Sequence, residues 1–205
     1  MTLTSSAVRR CLIALACAGV VVLGGCGRFS SSLGLKATDV TGADFGHELQ
    51  LTDFNGQARG LADFKGKVVV VFFGYTHCPD VCPTTMSELA SAMKKLGPDA
   101  DKVQVLFVTA DPARDTAEVL KQYVTAFDPR FLGLRGTPEQ TAQAAKNFKV
   151  LVQKNKPSGG SANYTVDHSS GTYLYDPEGR LRVYVSYGQG AEIFAHDIAA
   201  LLKAG

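Results

Sequence analysis

The sequence has almost no net charge, and the little it has sits at one end. Across 205 residues, Lys and Arg number 21 and Asp and Glu 19, a formal +2 at neutral pH. The surplus is Arg9 and Arg10, in an opening stretch of 25 residues without an acidic side chain; beyond it the signs balance. A neutral domain has no electrostatic footprint for nucleic acid and no general pull towards anionic membranes. Long apolar runs are also missing. Cys11–Leu23 is uncharged for 13 residues, short of the roughly 20 that a membrane-spanning helix needs. No internal repeat is visible, which removes solenoids. Cysteine is scarce, five in all, and after residue 26 only Cys78 and Cys82 remain. Hydrophobic content of 45% and charged content of 20% suit one packed domain rather than a disordered chain.

Residues 1–26 read as a bacterial secretion signal, with Arg9 and Arg10 as its charged start and Cys11–Leu23 as its apolar stretch. The run ends in Leu23-Gly24-Gly25-Cys26, which resembles the lipobox of bacterial lipoproteins. That resemblance implies cleavage before Cys26 and a diacylglycerol on its sulfur; an uncleaved membrane anchor is the alternative. The expected organisation is a signal peptide at 1–25, a lipid-anchored tether at 26–40 containing Ser30-Ser31-Ser32, and a domain at 41–205. The protein then belongs to the cell envelope, held to a membrane and facing the periplasm or extracytoplasmic side. Cys11 and Cys17 leave with the leader and Cys26 is consumed by lipid, so Cys78 and Cys82 are the thiols left to form a disulfide or do redox or metal chemistry.

Val68–Phe73 and Val103–Val108 are unbroken β-branched and aromatic runs, the pattern of strands buried on both faces. Between them Pro83–Leu96 has helical spacing, with Met86, Leu89, Ala90 and Met93 on one side and Gly97-Pro98 as the stop. Further helices are expected over Asp115–Phe127, from Thr137-Pro138-Glu139 to about Phe148, and over Glu192–Leu202. Leu49–Phe54, Phe131–Leu134, Thr172–Tyr175 and Leu181–Ser186 read as strands. Val150–Gln153 and Tyr164–Val166, around a Gly/Ser-rich bend at Pro157–Ser161, read as an inserted hairpin. The predicted fold is α/β and thioredoxin-like, with a central mixed sheet, an N-terminal extension and the hairpin placed before a loop bearing His168.

The chemistry concentrates in Phe73-Gly74-Tyr75-Thr76-His77-Cys78-Pro79-Asp80-Val81-Cys82-Pro83. Thiols just after a buried strand and at a helix start sit where the helix dipole favours thiolate. At i and i+4 both sulfurs can face one object, and Cα atoms about 6 Å apart also allow a disulfide. Oxidation and metallation exclude each other. Two thiolates form an incomplete site that selects Cu(I), with imidazole as an acceptable third donor. Of His47, His77, His168 and His196, His168 is favoured: it lies just before Thr172–Tyr175, where thioredoxin-like folds bring a loop, usually with a cis-proline, to the cysteine turn. No proline occurs between Pro157 and Pro177. Asp167 is either an acceptor that fixes the imidazole or a turn residue. His77 is expected to influence the thiols or point away, without coordinating. Asp80, between the cysteines, disfavours a further negative charge there. Asp111 and Arg114 are read as a local turn-stabilising pair or as a docking feature, and His47 and His196 as surface or capping residues.

Gly66-Lys67 through Pro83, Asp111-Pro112-Ala113-Arg114-Asp115-Thr116 and Val166-Asp167-His168-Ser169, in that order, resemble the Sco/SenC family over roughly residues 36–203. The resemblance implies a thioredoxin-like copper protein that helps assemble the binuclear copper centre of cytochrome c oxidase. Its metal ligands fall on Cys78, Cys82 and His168, holding Cu(I), with Cu(II) as a second state. The implied partners are a copper-receiving oxidase subunit or another copper chaperone. Beside the metallochaperone stand a thiol–disulfide reductase, in which Cys78 attacks and Cys82 resolves, and a thiol peroxidase or redox sensor.

Overall fold

A computed structural model describes residues 33–155 and 164–205; the leader, Cys26 and the expected bend at 157–161 lie outside the described residues. The strands are β1 (Thr38–Asp39), β2 (Gln50–Asp53), β3 (Ala58–Gly60), β4 (Val68–Gly74), β5 (Val103–Thr109), β6 (Leu132–Arg135), β7 (Val152–Asn155), β8 (Thr165–His168), β9 (Thr172–Tyr175) and β10 (Leu181–Val185). The α-helices are α1 (Val81–Leu96), α2 (Ala117–Thr125), α3 (Pro138–Asn147) and α4 (Ala191–Ala204), with short 3-10 turns at Leu61–Phe64 and Gly97–Lys102.

Eight strands form one mixed sheet in the order β1-β10-β9-β4-β5-β6-β2-β3. β4 pairs parallel with β5 and antiparallel with β9, so it lies in the middle, and all seven of its residues are buried. That position explains its unbroken Val-Val-Val-Val-Phe-Phe text, since a strand covered on both faces has no solvent side to make polar. Alternate side chains serve two cores. Val68, Val70 and Phe72 pack with Met86, Leu89 and Met93 of α1 and with Phe194 and Ile198 of α4. Val69, Val71 and Phe73 face Ala144 and Ala145 of α3 and the Phe148 ring.

The expected elements are present, with their ends moved by local chemistry. α2 starts two residues later than expected because Thr116 is its cap, its hydroxyl accepting from the Val119 N–H. Thr137 and Gln140 cap α3 reciprocally. Gly97 ends α1 with φ of 58°, a left-handed backbone open to glycine. Two features have no clear signal in the sequence pattern. β3 closes the far edge of the sheet, and residues 36–39, expected to be tether, are attached to the domain. There, the Lys36 and Ala37 N–H groups each donate to the buried Asp197 carboxylate at 2.9 Å. Thr38 and Asp39 then pair with Tyr184 and Val183.

The hairpin exists, as β7 and β8, but as a two-stranded sheet of its own. The expectation that His168 occupies a loop fails: it closes strand β8 opposite Val152. Strand geometry explains the placement, because burial alternates along Tyr164, Thr165, Val166, Asp167 and His168, with the even positions turned inward.

Candidate metal centre

The sheet delivers the cysteines from its middle. β4 ends at Gly74, the chain turns through Tyr75–Asp80, and α1 begins at Val81. The Cys78 N–H donates to the Tyr75 carbonyl at 3.2 Å, and Thr84 N–H to the Asp80 carbonyl at 3.1 Å, closing the turn onto the helix. Cys82 is thereby in the first helical turn and fully buried, while Cys78 stands ahead of it, half-buried. The Cys82 N–H points at the Cys78 sulfur at 3.5 Å. Gly74 is required behind the site: a Cβ there would lie 3.0 Å from the Cys82 sulfur and 2.8 Å from the Phe107 ring.

His168 completes the group. Its Nε2 lies 3.4 Å from the Cys82 sulfur, and the donor atoms of Cys78, Cys82 and His168 all fall within 4.8 Å of one another. Its Nδ1–H donates to the Ser169 carbonyl at 3.0 Å, which fixes the tautomer and leaves the Nε2 lone pair facing the sulfur. The ring meets Phe72 and Tyr75 edge-on. Burial in this apolar setting, which outweighs the Ser169 bond and Asp167, holds the imidazole pKa below its ordinary 6.5, favouring the neutral form that ligates metals. At Cys82 the expected thiolate-favouring effect of the helix start does not prevail. Burial pushes that thiol's pKa well above its ordinary value, against the opposing Tyr75 backbone bond. Two soft donors and one neutral imidazole form a set suited to a soft cation. Metal binding would expel the Cys82 proton.

A cleft of about 380 Å³ opens over the half-buried side, lined by Tyr75, Cys78, Pro79, Val81 and His168 among others. The remaining candidates separate from the site. His77 is exposed, its Nδ1 within 3.1 Å of the Thr76 hydroxyl and 3.9 Å of Asp115, outside the ligand group. Asp80 is exposed. Asp167 is not the acceptor for the imidazole; its carboxylate takes the Asn155 amide instead. His47 lies on the surface against the Ala43 carbonyl, and His196 against Asp197. Arg114 does pair with Asp111, as expected of a local turn.

Asp115 is the site residue that the sequence pattern hides. It reads as the start of a helix, yet its side chain is fully buried and turned towards the cysteine turn. It accepts from the Thr76 hydroxyl at 2.7 Å, the Thr76 N–H at 3.2 Å and the Thr109 hydroxyl at 2.6 Å. Bonds to a charged acceptor stabilise by about 1.5–3 kcal/mol each, so this carboxylate ties the cysteine turn to the end of β5. Its signal would have been three polar residues, Thr76, Thr109 and Asp115, each at or just past the end of a buried strand or ahead of a helix.

The SCO1/SenC family profile matches residues 37–203. This chain belongs to the SCO1/SenC family. A mouse relative (Mus musculus), the mitochondrial protein SCO2 homolog, is 40% identical over 153 residues, covering 74% of this chain and 60% of its own length. The chain thus spans about three fifths of the length of such relatives. Among solved structures, Bradyrhizobium japonicum ScoI with copper bound is 39% identical with a TM-score of 0.70, over 77% of this chain and 99% of that one. A SCO1/SenC family lipoprotein from Bacillus anthracis is 27% identical with a TM-score of 0.66, over 82% and 98%. The fold of this SCO1/SenC protein is thioredoxin-like, as the order of its elements predicts. Among the described residues no helix is long and apolar enough to cross a membrane.

Proposed function

We propose that this protein is a membrane-anchored copper chaperone that holds Cu(I) through Cys78, Cys82 and His168 and passes it to the copper-receiving subunit of cytochrome c oxidase. The carrying observation is the convergence of two thiols and one imidazole within 4.8 Å. The copper-bound Bradyrhizobium relative supports the same cargo. Cys82 is the enclosed donor, while Cys78 and His168 are half-buried and line the cleft. An incoming thiolate or imidazole from the partner displaces one of these two half-buried donors first, so the ion moves by ligand exchange without changing oxidation state. A second copper chaperone can load the site by the reverse exchange. Cu(II) is the second state that this donor set accommodates.

Lipid at Cys26 holds the domain to a membrane in the cell envelope, on the periplasmic or extracytoplasmic side. The leader text and the lipoprotein relative support that placement.

The test is a Cu(I) titration of the fully reduced protein against a competing chelator, beside His168→Ala. One-to-one binding that weakens at least about tenfold in the variant supports the reading; equal affinity in both removes His168 as a ligand.

The half-buried Cys78 beside a buried Cys82 also favours a thiol–disulfide reductase. Cys78 attacks a partner disulfide and Cys82 displaces it, so two electrons pass to the partner and a Cys78–Cys82 disulfide remains. The two roles draw on the same reduced thiols.

A further inference from the structure

The thiols are built into the main sheet and its first helix, but His168 hangs on a hairpin outside that sheet. Something must hold the hairpin at the right height over the cysteines. Along its inner strand and the residue that leads into it, Tyr164, Val166 and His168 share one face. His168 reaches Cys82 at one end, and Val166 is buried in the core in the middle. At the other end, four residues and about 13 Å from the imidazole, Tyr164 meets the loop that follows β5. Its hydroxyl donates to the Asp111 carboxylate at 2.7 Å, and its carbonyl accepts from Arg114 Nη1 at 3.0 Å. The Arg114 guanidinium lies over the Tyr164 ring, 3.7 Å from its centre, and 5.7 Å from the centre of the Tyr75 ring in the cysteine turn. From the partner strand β7, Lys154 also reaches Asp111, at 3.2 Å. Both strands of the hairpin therefore converge on one buried carboxylate, and one arginine stands between hairpin and cysteine turn.

We propose that Asp111, Arg114 and Tyr164 form a latch that positions His168 for metal binding, with Tyr164 the part that can be released. The latch rests on the reading of Cys78, Cys82 and His168 as copper ligands and deepens it. Closed, it presents the imidazole to the thiol pair as a third donor. Open, it lets β8 lift and leaves the ion on two thiolates, the state from which an incoming ligand takes it most readily. The Asp111–Arg114 pair is thus more than a turn brace: it is the fixed jaw against which the hairpin closes.

The experiment is a double-mutant cycle on the full chain in detergent, with Cu(I) affinity measured by chelator competition for the wild type, Tyr164→Phe, His168→Ala and the double variant. Tyr164→Phe keeps the ring under Arg114 and removes only the hydroxyl. The expected result is a roughly tenfold loss of affinity that vanishes in the His168→Ala background. In the Cu(II) form, nitrogen hyperfine coupling in the electron paramagnetic resonance spectrum weakens in Tyr164→Phe, a change that general loosening of the fold does not produce. Arg114→Lys, which keeps charge but loses the planar stack, behaves like Tyr164→Phe. The latch is overturned by wild-type affinity in Tyr164→Phe while His168→Ala binds more weakly, or by a tenfold loss that persists without His168. Unchanged affinity in His168→Ala itself defeats the ligand assignment, and the latch with it.

Discussion

The two halves of the metal site are held by different kinds of structure. The cysteine half grows from β4, a strand buried along its whole length, and is tied to the end of β5 through Asp115. The histidine half is a two-stranded hairpin joined to the body by side chains: Val166 in the core, Tyr164 and Lys154 on Asp111. A pair of thiols set between the main sheet and its first helix, beside an imidazole carried on a separate hairpin, gives the site one firmly held half and one that can open. Local opening is least costly where few apolar contacts are broken, and here that is the hairpin.

Three changes would break or sharpen the contrast, the largest effect first. Cys82→Ser replaces the enclosed sulfur with an oxygen that Cu(I) does not favour. Chelator competition should show capture lost altogether, a deeper loss than His168→Ala gives; equal losses would mean that the two halves contribute alike. Asp115→Ala removes the acceptor of the half-buried Thr76 N–H and of the buried Thr109 hydroxyl, at about 1–3 kcal/mol for each group left unsatisfied. Urea denaturation should show a fall of about 3 kcal/mol in global stability, and a fall below about 1 kcal/mol would mean that the cysteine turn is not anchored there. Asp111→Asn should act more weakly, by about 1–2 kcal/mol, and its effect should depend on pH. Burial pushes the Asp111 carboxyl up, but the Tyr164 hydroxyl, Arg114 and Lys154 together outweigh it and hold the pKa below 3.8. A depressed carboxylate contributes stability above its unfolded pKa and loses it as pH falls through the folded value. Thermal unfolding of wild type and Asp111→Asn should therefore differ at pH 6 and converge as pH drops below about 3.8.

What could be read from the sequence, and what could not, follows the same division. Val68–Phe73, Val103–Val108 and the Met86-Leu89-Met93 stripe announce themselves because burial is written directly into residue type. The cysteines follow from their place between such a strand and a helix. His168 was legible as a candidate because it precedes Thr172–Tyr175, yet its place on a strand was not, since β8 pairs with β7 rather than with the main sheet. Asp115 was hidden because its partner Thr76 is 39 residues away and its type suggests a helix start. The direction of the Cys82 shift went the other way from expectation because the helix-start effect is local, whereas burial depends on the whole fold. The attachment of Lys36 and Ala37 to Asp197 spans about 160 residues and leaves no trace in either segment alone.

The separation of Cys82 from His168, 86 residues along the chain, also sets a clock. Before the strands between them are in place, a newly made chain offers a metal ion only a pair of thiols, with the imidazole still free to wander. The third donor arrives only when the long-range pairings are complete, and those are the slow steps of assembly. Full metal affinity is therefore a readout of finished folding: a chain whose strands are still unpaired meets the ion with two donors, and a finished one with three.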